Sequence, residues 1–195
     1  MDSLGFYSSA KSIFTALVMA FYSDTGSKIS QQELYCVAEA VYFEARAESH
    51  TGKVAVAHVI KNRKYSGKYP DTYCGVVYEG PKRESWKTRQ DPTLPDHARQ
   101  YYLKKDRCQF SYACDGKREV IWTHQKNGQV ILGNEIAWRD AVNVAIDVIS
   151  GQMKDPTRGA THYANLNIVD PLWASQMKVN AVIGNHTFFS NGNKK

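Results

Sequence analysis

From Ser30 onward, apolar positions recur every third or fourth residue, at Leu34, Val37, Ala38, Val41, Tyr42 and Ala45. That is the period of a helix with one face turned to a core. Ser30 followed by Glu33 reads as a capping box, which would satisfy two free backbone donors at the N-terminus. The pattern therefore predicts a helix over about 31–46. Ser49, Thr51 and Gly52 interrupt it and begin a second helix through Val54, Ala55, His58 and Val59 to about Asn62. Upstream, Ile13 to Tyr22 (IFTALVMAFY) is an apolar run of ten residues. It is too short to span a bilayer, and Lys11 is the only base before it, a poor charged region for an export signal. A buried helix or strand is the expectation and a weak export signal the alternative. SDTGSK at 23–28 reads as a turn-rich break.

The second half is less periodic. Val76, Val77 and Tyr78 suit a short strand or a helical turn, residues 80–95 a long polar loop, and Asp96 to Arg107 a short helix. Asn127-Gly128 between apolar runs predicts a β-hairpin within 120–133. Asn134 is then expected to cap a helix through Trp138, Ala141, Val144, Ala145, Val148 and Ile149, with Gly151 ending it. A last helix is expected over about 172–183, ended by Gly184. The sum is an α+β chain, mainly helical, with a small β-hairpin. Residues 30–190 form one main domain, and residues 1–29 an N-terminal extension, packing segment or weak signal.

Composition narrows this picture only modestly. With 195 residues, 43% of them hydrophobic, the chain supports one core and not two. A net charge of +6 favours polyanionic partners such as nucleic acid, anionic membranes or acidic wall polymers. There is no zinc-finger spacing or RNP-like pattern, so a nucleic-acid partner rests on charge alone and none is expected to be read specifically. Cys36, Cys74, Cys108 and Cys114 allow three pairings. Cys108 and Cys114 bracket QFSYA, and a disulfide there would imply an oxidising compartment. Buried free thiols are the alternative.

Glu44 and Glu48 carry the most pointed chemistry. If the helix continues past both, they share one side, with Cβ atoms about 5–6 Å apart. Such a pair suits acid catalysis, because burial can keep one carboxyl protonated while the other stays ionised. A solvated helix end balanced by Arg46 and Lys53 is the plainer reading. No GxSxG, HExxH or phosphate-binding glycine loop occurs. His162, Asp170 and His186 have no short-range ligand pair, so no metal and no cofactor are expected.

The segment VAEAVYFEARAESHTGKVAVAHVIKNR resembles the core motif of the SleB-type cell wall hydrolases, the family that includes spore-cortex-lytic enzymes. YPDTYCGVVYEG, CQFSYACDG and the closing THYAN, PLWA and IGNHTFF are also similar to that family and follow in its order, so the resemblance runs over roughly residues 32 to 189. It implies a muramidase-like enzyme acting on peptidoglycan glycan strands, with a lysozyme-like, lytic transglycosylase-like fold and a single catalytic glutamate. The first Glu of the family's EARGE motif falls on Glu44 and the second on Glu48. Ala47 stands where the family usually has Gly, and its better helix propensity predicts one more helical turn. Gln109 and Ser111 would either hydrogen-bond to sugar groups, with Phe110 packed below them, or stabilise their own loop. Tyr163 and Asn165 would form a wall beside the acid, Trp173 would stack on a sugar or pack in the core, and Glu48 would support Glu44 or hold a nearby loop. His162 and His186 are read as structural. The basic loop from Lys82 to Arg89 would meet teichoic acid or stem-peptide carboxylates, or be a solvated loop.

The resemblance thus implies a lytic transglycosylase, more than a simple hydrolase, and a monomer without a transmembrane segment is expected. It would act at the bacterial wall, in the periplasm or outside the cell, and be encoded by a bacterium or by a phage, including a virion-associated form. A metal-dependent amidase using His162, Asp170 and His186 is the competing enzyme. A wall-binding protein without catalysis is the competing non-enzyme, suggested only by Ala47.

Overall fold

The protein is described from a computed structural model, for residues 4–25, 29–117, 121, 125–126, 129–130 and 132–192. Four helices make the larger layer: α1 (Leu4–Thr25), α2 (Gln31–Ala45), α3 (His50–Tyr65) and a sixth, α6 (Leu132–Ser150). The short α4 (Tyr73–Val77) packs on α2 and α3, while α2 and α3 both pack on α6, and α1 lies along α6. The periodic face of α2 explains this arrangement. Leu34, Val37, Val41 and Tyr42 are fully buried with Trp138, Val142 and Val148 of α6, and Phe14, Val18 and Phe21 of α1 join them. Burial of each large side chain contributes about 1.5–3 kcal/mol. Trp138 is the hub, with the rings of Phe14, Tyr35 and Tyr42 centred 6.3, 5.7 and 5.9 Å from its own. The apolar run at 13–22 is thus part of a longer helix that feeds the core.

The remaining elements are small. A two-stranded ribbon pairs β1 (Lys82–Glu84) with β2 (Tyr101–Leu103) in antiparallel fashion, with α5 (Trp86–Gln90) between them. A minimal hairpin pairs β3 (Gln125–Lys126) with β4 (Gln129–Val130) at the position predicted for one, although the turn residues Asn127 and Gly128 lie outside the described residues. A three-stranded antiparallel sheet joins β5 (His162–Ala164), β6 (Met177–Ile183) and β7 (His186–Asn191) in the order β5-β7-β6. One face of this sheet rests on α3, where Phe188 is buried with Ala55, Val59 and Ala160 in a second, smaller cluster.

Several sequence expectations need correction. Ser30 does cap α2, accepting from the Glu33 backbone N–H at 3.3 Å. The Glu33 carboxylate, however, accepts from the backbone N–H of Tyr73 at 2.5 Å and so caps α4 across space. The helix expected over 96–107 is a single 3-10 turn at Asp96–Ala98 followed by β2. Its polar sequence has no face to bury, and pairing with β1 satisfies the backbone instead. Asn134 lies inside α6, which begins at Leu132. The helix expected over 172–183 is a 3-10 turn, Ala174–Gln176, leading into β6. A register shift between Val179 and Ala181 breaks the two-residue alternation that would mark a strand. Asn180 sits at the shift, donating to the Arg158 carbonyl at 3.0 Å and accepting from the Ser190 hydroxyl at 2.8 Å.

Candidate active site

Glu44 occupies the last turn of α2, where the buried face of the helix meets the sheet. The Tyr163 hydroxyl, carried by β5, donates to Glu44 Oε2 at 3.1 Å. The Ser111 hydroxyl and the Tyr112 backbone N–H also donate to the carboxyl, and the Arg63 guanidinium acts on it through its charge. Burial pushes the Glu44 carboxyl above the usual glutamate range, and these four contacts only partly offset it. The Tyr163 hydroxyl is itself held far above its ordinary pKa, first by burial and then by the Glu44 charge. It therefore stays protonated, a donor at any working pH.

Arg63 ends the buried face of α3 and is the cation of this site. Its Nε donates to the Thr161 carbonyl at 2.6 Å, and its guanidinium lies 5.2 and 5.3 Å from the ring centres of Tyr69 and Phe110. Burial lowers its pKa, opposed by Tyr69, Tyr163, Glu79 and Glu44 around it. The loop from Phe110 to Cys114 forms the facing wall. A disulfide joins Cys108 to Cys114, and Tyr112 stacks on Phe43 of α2 with ring centres 4.7 Å apart. A second disulfide, Cys36 to Cys74, ties α2 to α4, so among the described residues no cysteine is free.

Glu48 does not stand beside Glu44 on a continuing helix. The helix ends at Ala45 with Arg46 as its C-cap, and the Glu48 N–H donates to the Ala45 carbonyl at 2.9 Å in a turn. The expected extra turn through Ala47 is therefore absent. Ala47 is exposed and does not have a positive φ, so its methyl group meets no obstacle there. Glu48 instead accepts from the Asn185 backbone N–H at 3.3 Å and from its side-chain Nδ2 at 2.9 Å, at the turn between β6 and β7. His186 Nδ1 lies 3.9 Å away from the same carboxylate. The His186 ring meets Tyr163 edge-on with centres 5.1 Å apart. Glu48 thus fixes the turn that backs the tyrosine donating to Glu44.

The other residues singled out in the sequence divide by position. Ser111 reaches Glu44, whereas Gln109, two residues earlier, is exposed and its backbone N–H donates to the Glu79 carbonyl at 3.1 Å. The Asn165 side chain accepts from the Asn167 N–H at 3.1 Å and shapes the turn after β5. Trp173 packs on His162 and Phe189, each with centres 5.4 Å away. Strand alternation puts those residues on the sheet face opposite Tyr163 and Phe188, so Trp173 is not beside Glu44. The same alternation separates His162 from His186. His162 contacts the Tyr69 hydroxyl at 3.3 Å and Thr161 at 3.0 Å, and Asp170 is exposed in the following loop. The three residues of the amidase alternative do not converge. Arg63 and Tyr112 were missed as site residues, because each looks in sequence like an ordinary helix end or loop aromatic.

A family model described as Cell Wall Hydrolase matches residues 47–189. The match begins at Ala47, so it does not itself include Glu44. The chain is 28% identical over 159 residues to a spore cortex-lytic enzyme of Halalkalibacterium halodurans, a match covering 82% of this chain and 35% of that protein. It is 52% identical over 50 residues to the spore cortex-lytic enzyme of Oceanobacillus iheyensis, covering 26% of this chain and 18% of the relative. The chain thus spans about a third or less of the length of these relatives. Among solved structures it is similar to the catalytic domain of the germination-specific lytic transglycosylase SleB from Bacillus anthracis. That likeness has a TM-score of 0.55 and 27% identity, over 84% of this chain and 98% of the other. The catalytic domain of the Bacillus cereus SleB protein gives a TM-score of 0.52 at the same identity, over 84% and 94%.

Proposed function

The chain belongs to the cell wall hydrolase family, and we propose that it cleaves the bond between N-acetylmuramic acid and N-acetylglucosamine in peptidoglycan as a lytic transglycosylase, with Glu44 as its single acid and base. The observation that carries this is the half-buried Glu44 carboxyl, held above its ordinary pKa and hydrogen-bonded by Tyr163. Kept protonated, Glu44 gives its proton to the glycosidic oxygen as the bond breaks and positive charge develops on the sugar. The resulting carboxylate then takes the proton of the muramic acid 6-hydroxyl, whose oxygen closes a 1,6-anhydro ring. Tyr163 steadies the carboxylate between the two proton transfers, and Ser111 and the Tyr112 N–H hold its orientation.

A hydrolase of this kind usually needs a second carboxylate to guide water or to attack the sugar. The main charge acting on Glu44 is that of Arg63, a guanidinium that Glu79 also faces. Glu48 is occupied with Asn185, and Glu39 accepts from the Tyr78 hydroxyl. The engagement of Glu48 and Glu39 elsewhere supports ring closure over hydrolysis. The likeness to the Bacillus anthracis catalytic domain, that of a lytic transglycosylase, supports the same chemistry. Two disulfides support action outside a reducing cytoplasm, at the wall in the periplasm or beyond the cell.

Mass spectrometry of fragments released from purified peptidoglycan tests the proposal. The wild type should release muropeptides ending in 1,6-anhydromuramic acid, and Glu44→Gln should lower their release by about a thousandfold. Reducing muramic ends from the wild type would replace transglycosylation by hydrolysis. An unimpaired Glu44→Gln variant would remove Glu44 from the chemistry.

A further inference from the structure

The ribbon of β1 and β2 borders a cleft of about 460 Å³, within the size range of small-ligand sites. Lys82, Arg83 and Lys105 line it together with Tyr78, Tyr101 and Tyr102, and none of the residues lining it is acidic. Tyr101 and Tyr102 are 50% and 57% exposed, although tyrosines of their size would ordinarily gain by burial. The ribbon is braced from behind. Arg99 Nη1 donates to Glu84 at 2.7 Å, and the buried Ser85 hydroxyl donates to Thr88 at 2.9 Å while accepting from its backbone N–H at 3.0 Å. The aromatic and basic side chains therefore stand on a fixed frame.

This cleft adjoins the candidate active site through two connections. Ala113 and Cys114 line it and directly follow Ser111 and Tyr112, which hydrogen-bond to Glu44. Tyr78 also lines it, and its hydroxyl donates to Glu39 on α2, the helix that carries Glu44. The cleft and the acid are thus built on the same loop and the same helix.

We propose that this cleft binds the carboxylate-bearing stem peptides of a peptidoglycan strand whose sugar backbone lies at Glu44. Lysine and arginine pair with the free carboxylates, and the exposed tyrosines pack against the peptide's methyl and methylene groups. Charge complementarity selects this occupant: the lining is cationic without a compensating acid, and the stem peptide is the anionic part of the polymer named above. The inference rests on peptidoglycan as the substrate, not on which bond is cut or how.

Binding separates this inference from the catalytic one. The full chain carrying Glu44→Gln, which holds strands without cutting them, is sedimented with purified sacculi, with and without the additional pair Lys82→Gln and Arg83→Gln. The sacculi are used intact, stripped of wall teichoic acid, or stripped of both teichoic acid and stem peptides by an amidase. Losing two exposed charges should weaken binding about tenfold on the first two preparations and leave it unchanged on the peptide-free strands. Equal binding with and without the pair on peptide-bearing sacculi overturns the proposal. So does a loss seen only where teichoic acid is present, which would make phosphate the ligand. Thermal unfolding of both variants checks that they are folded, and neither result depends on the ends that the active enzyme would produce.

Discussion

The helical layer and the three-stranded sheet contribute one partner each to the central hydrogen bond, but they are built in opposite ways. The helices share a continuous apolar core in which Leu34, Val41, Tyr42 and Trp138 are fully buried. The sheet has only a small cluster around Phe188 and is attached largely by polar ties. Arg63 reaches the Thr161 carbonyl, Asn62 reaches the Ala160 carbonyl at 3.0 Å, and Glu48 holds Asn185. Hydrophobic burial is non-directional and gives Glu44 a stable platform, whereas hydrogen bonds are directional and set where Tyr163 sits upon it. Precision at this site is thus supplied by the weaker half of the molecule.

The comparison breaks most severely on the helical side. Replacing Cys36 and Cys74 by Ser opens a link across 38 residues, and the chain-entropy account gives a loss of about 4 kcal/mol. The same treatment of Cys108 and Cys114, separated by 6 residues, costs about 2 kcal/mol. Urea unfolding should show that order. Activity per folded molecule should suffer more in the second pair, because that loop carries Ser111. A reversed order of stabilities would show that the helical layer does not depend on its own cross-link.

At the joint between the two regions, Gly184 has φ +58° and a Cβ there would collide with Glu48 Oε2. Gly184→Ala should therefore cost about 2–3 kcal/mol, combining a left-handed backbone with displacement of the Glu48 carboxylate. Its activity should fall further than its stability explains, since the turn backs Tyr163 through His186. Equal activity per folded molecule would confine Glu48 to holding the fold.

The finest division is Tyr163→Phe, which keeps the ring and removes the donor. A fall in kcat of about 10–100-fold is expected, corresponding to about 1.4–2.7 kcal/mol. The pH dependence has a definite sign. In the proposed mechanism Glu44 starts protonated, so activity should be full below its raised pKa and be lost as pH rises through it. The Tyr163 hydrogen bond lowers that pKa, so its removal should move the alkaline limb to higher pH. A limb that stays in place, or moves down, would mean that Tyr163 does not act on the Glu44 proton.

Legibility in the sequence follows the same division. The faces of α2, α3 and α6 could be read because a helix with one buried side repeats its apolar residues every three to four positions. Glu44 stood out against that face, and the family resemblance gave it a role. The region of β6 misled because its bulge near Asn180 removes the alternation, and β2 because a three-residue strand is too short to show any period. Arg63 carried no mark of its position, since a basic residue near a helix C-terminus ordinarily points to solvent.

The sequence by itself determined α2, α3 and α6, the hairpin position and the acid at the end of α2, because local periodicity and turn chemistry act within a few residues. Only the tertiary structure decided that Glu48 faces Asn185 and not Glu44, that Tyr163 and Trp173 lie on opposite faces of one sheet, and that a buried arginine sits by the acid. Those outcomes depend on contacts such as that between Glu44 and Tyr163, 119 residues apart. Their energies arise only after the core has brought distant segments together, so no local pattern encodes them.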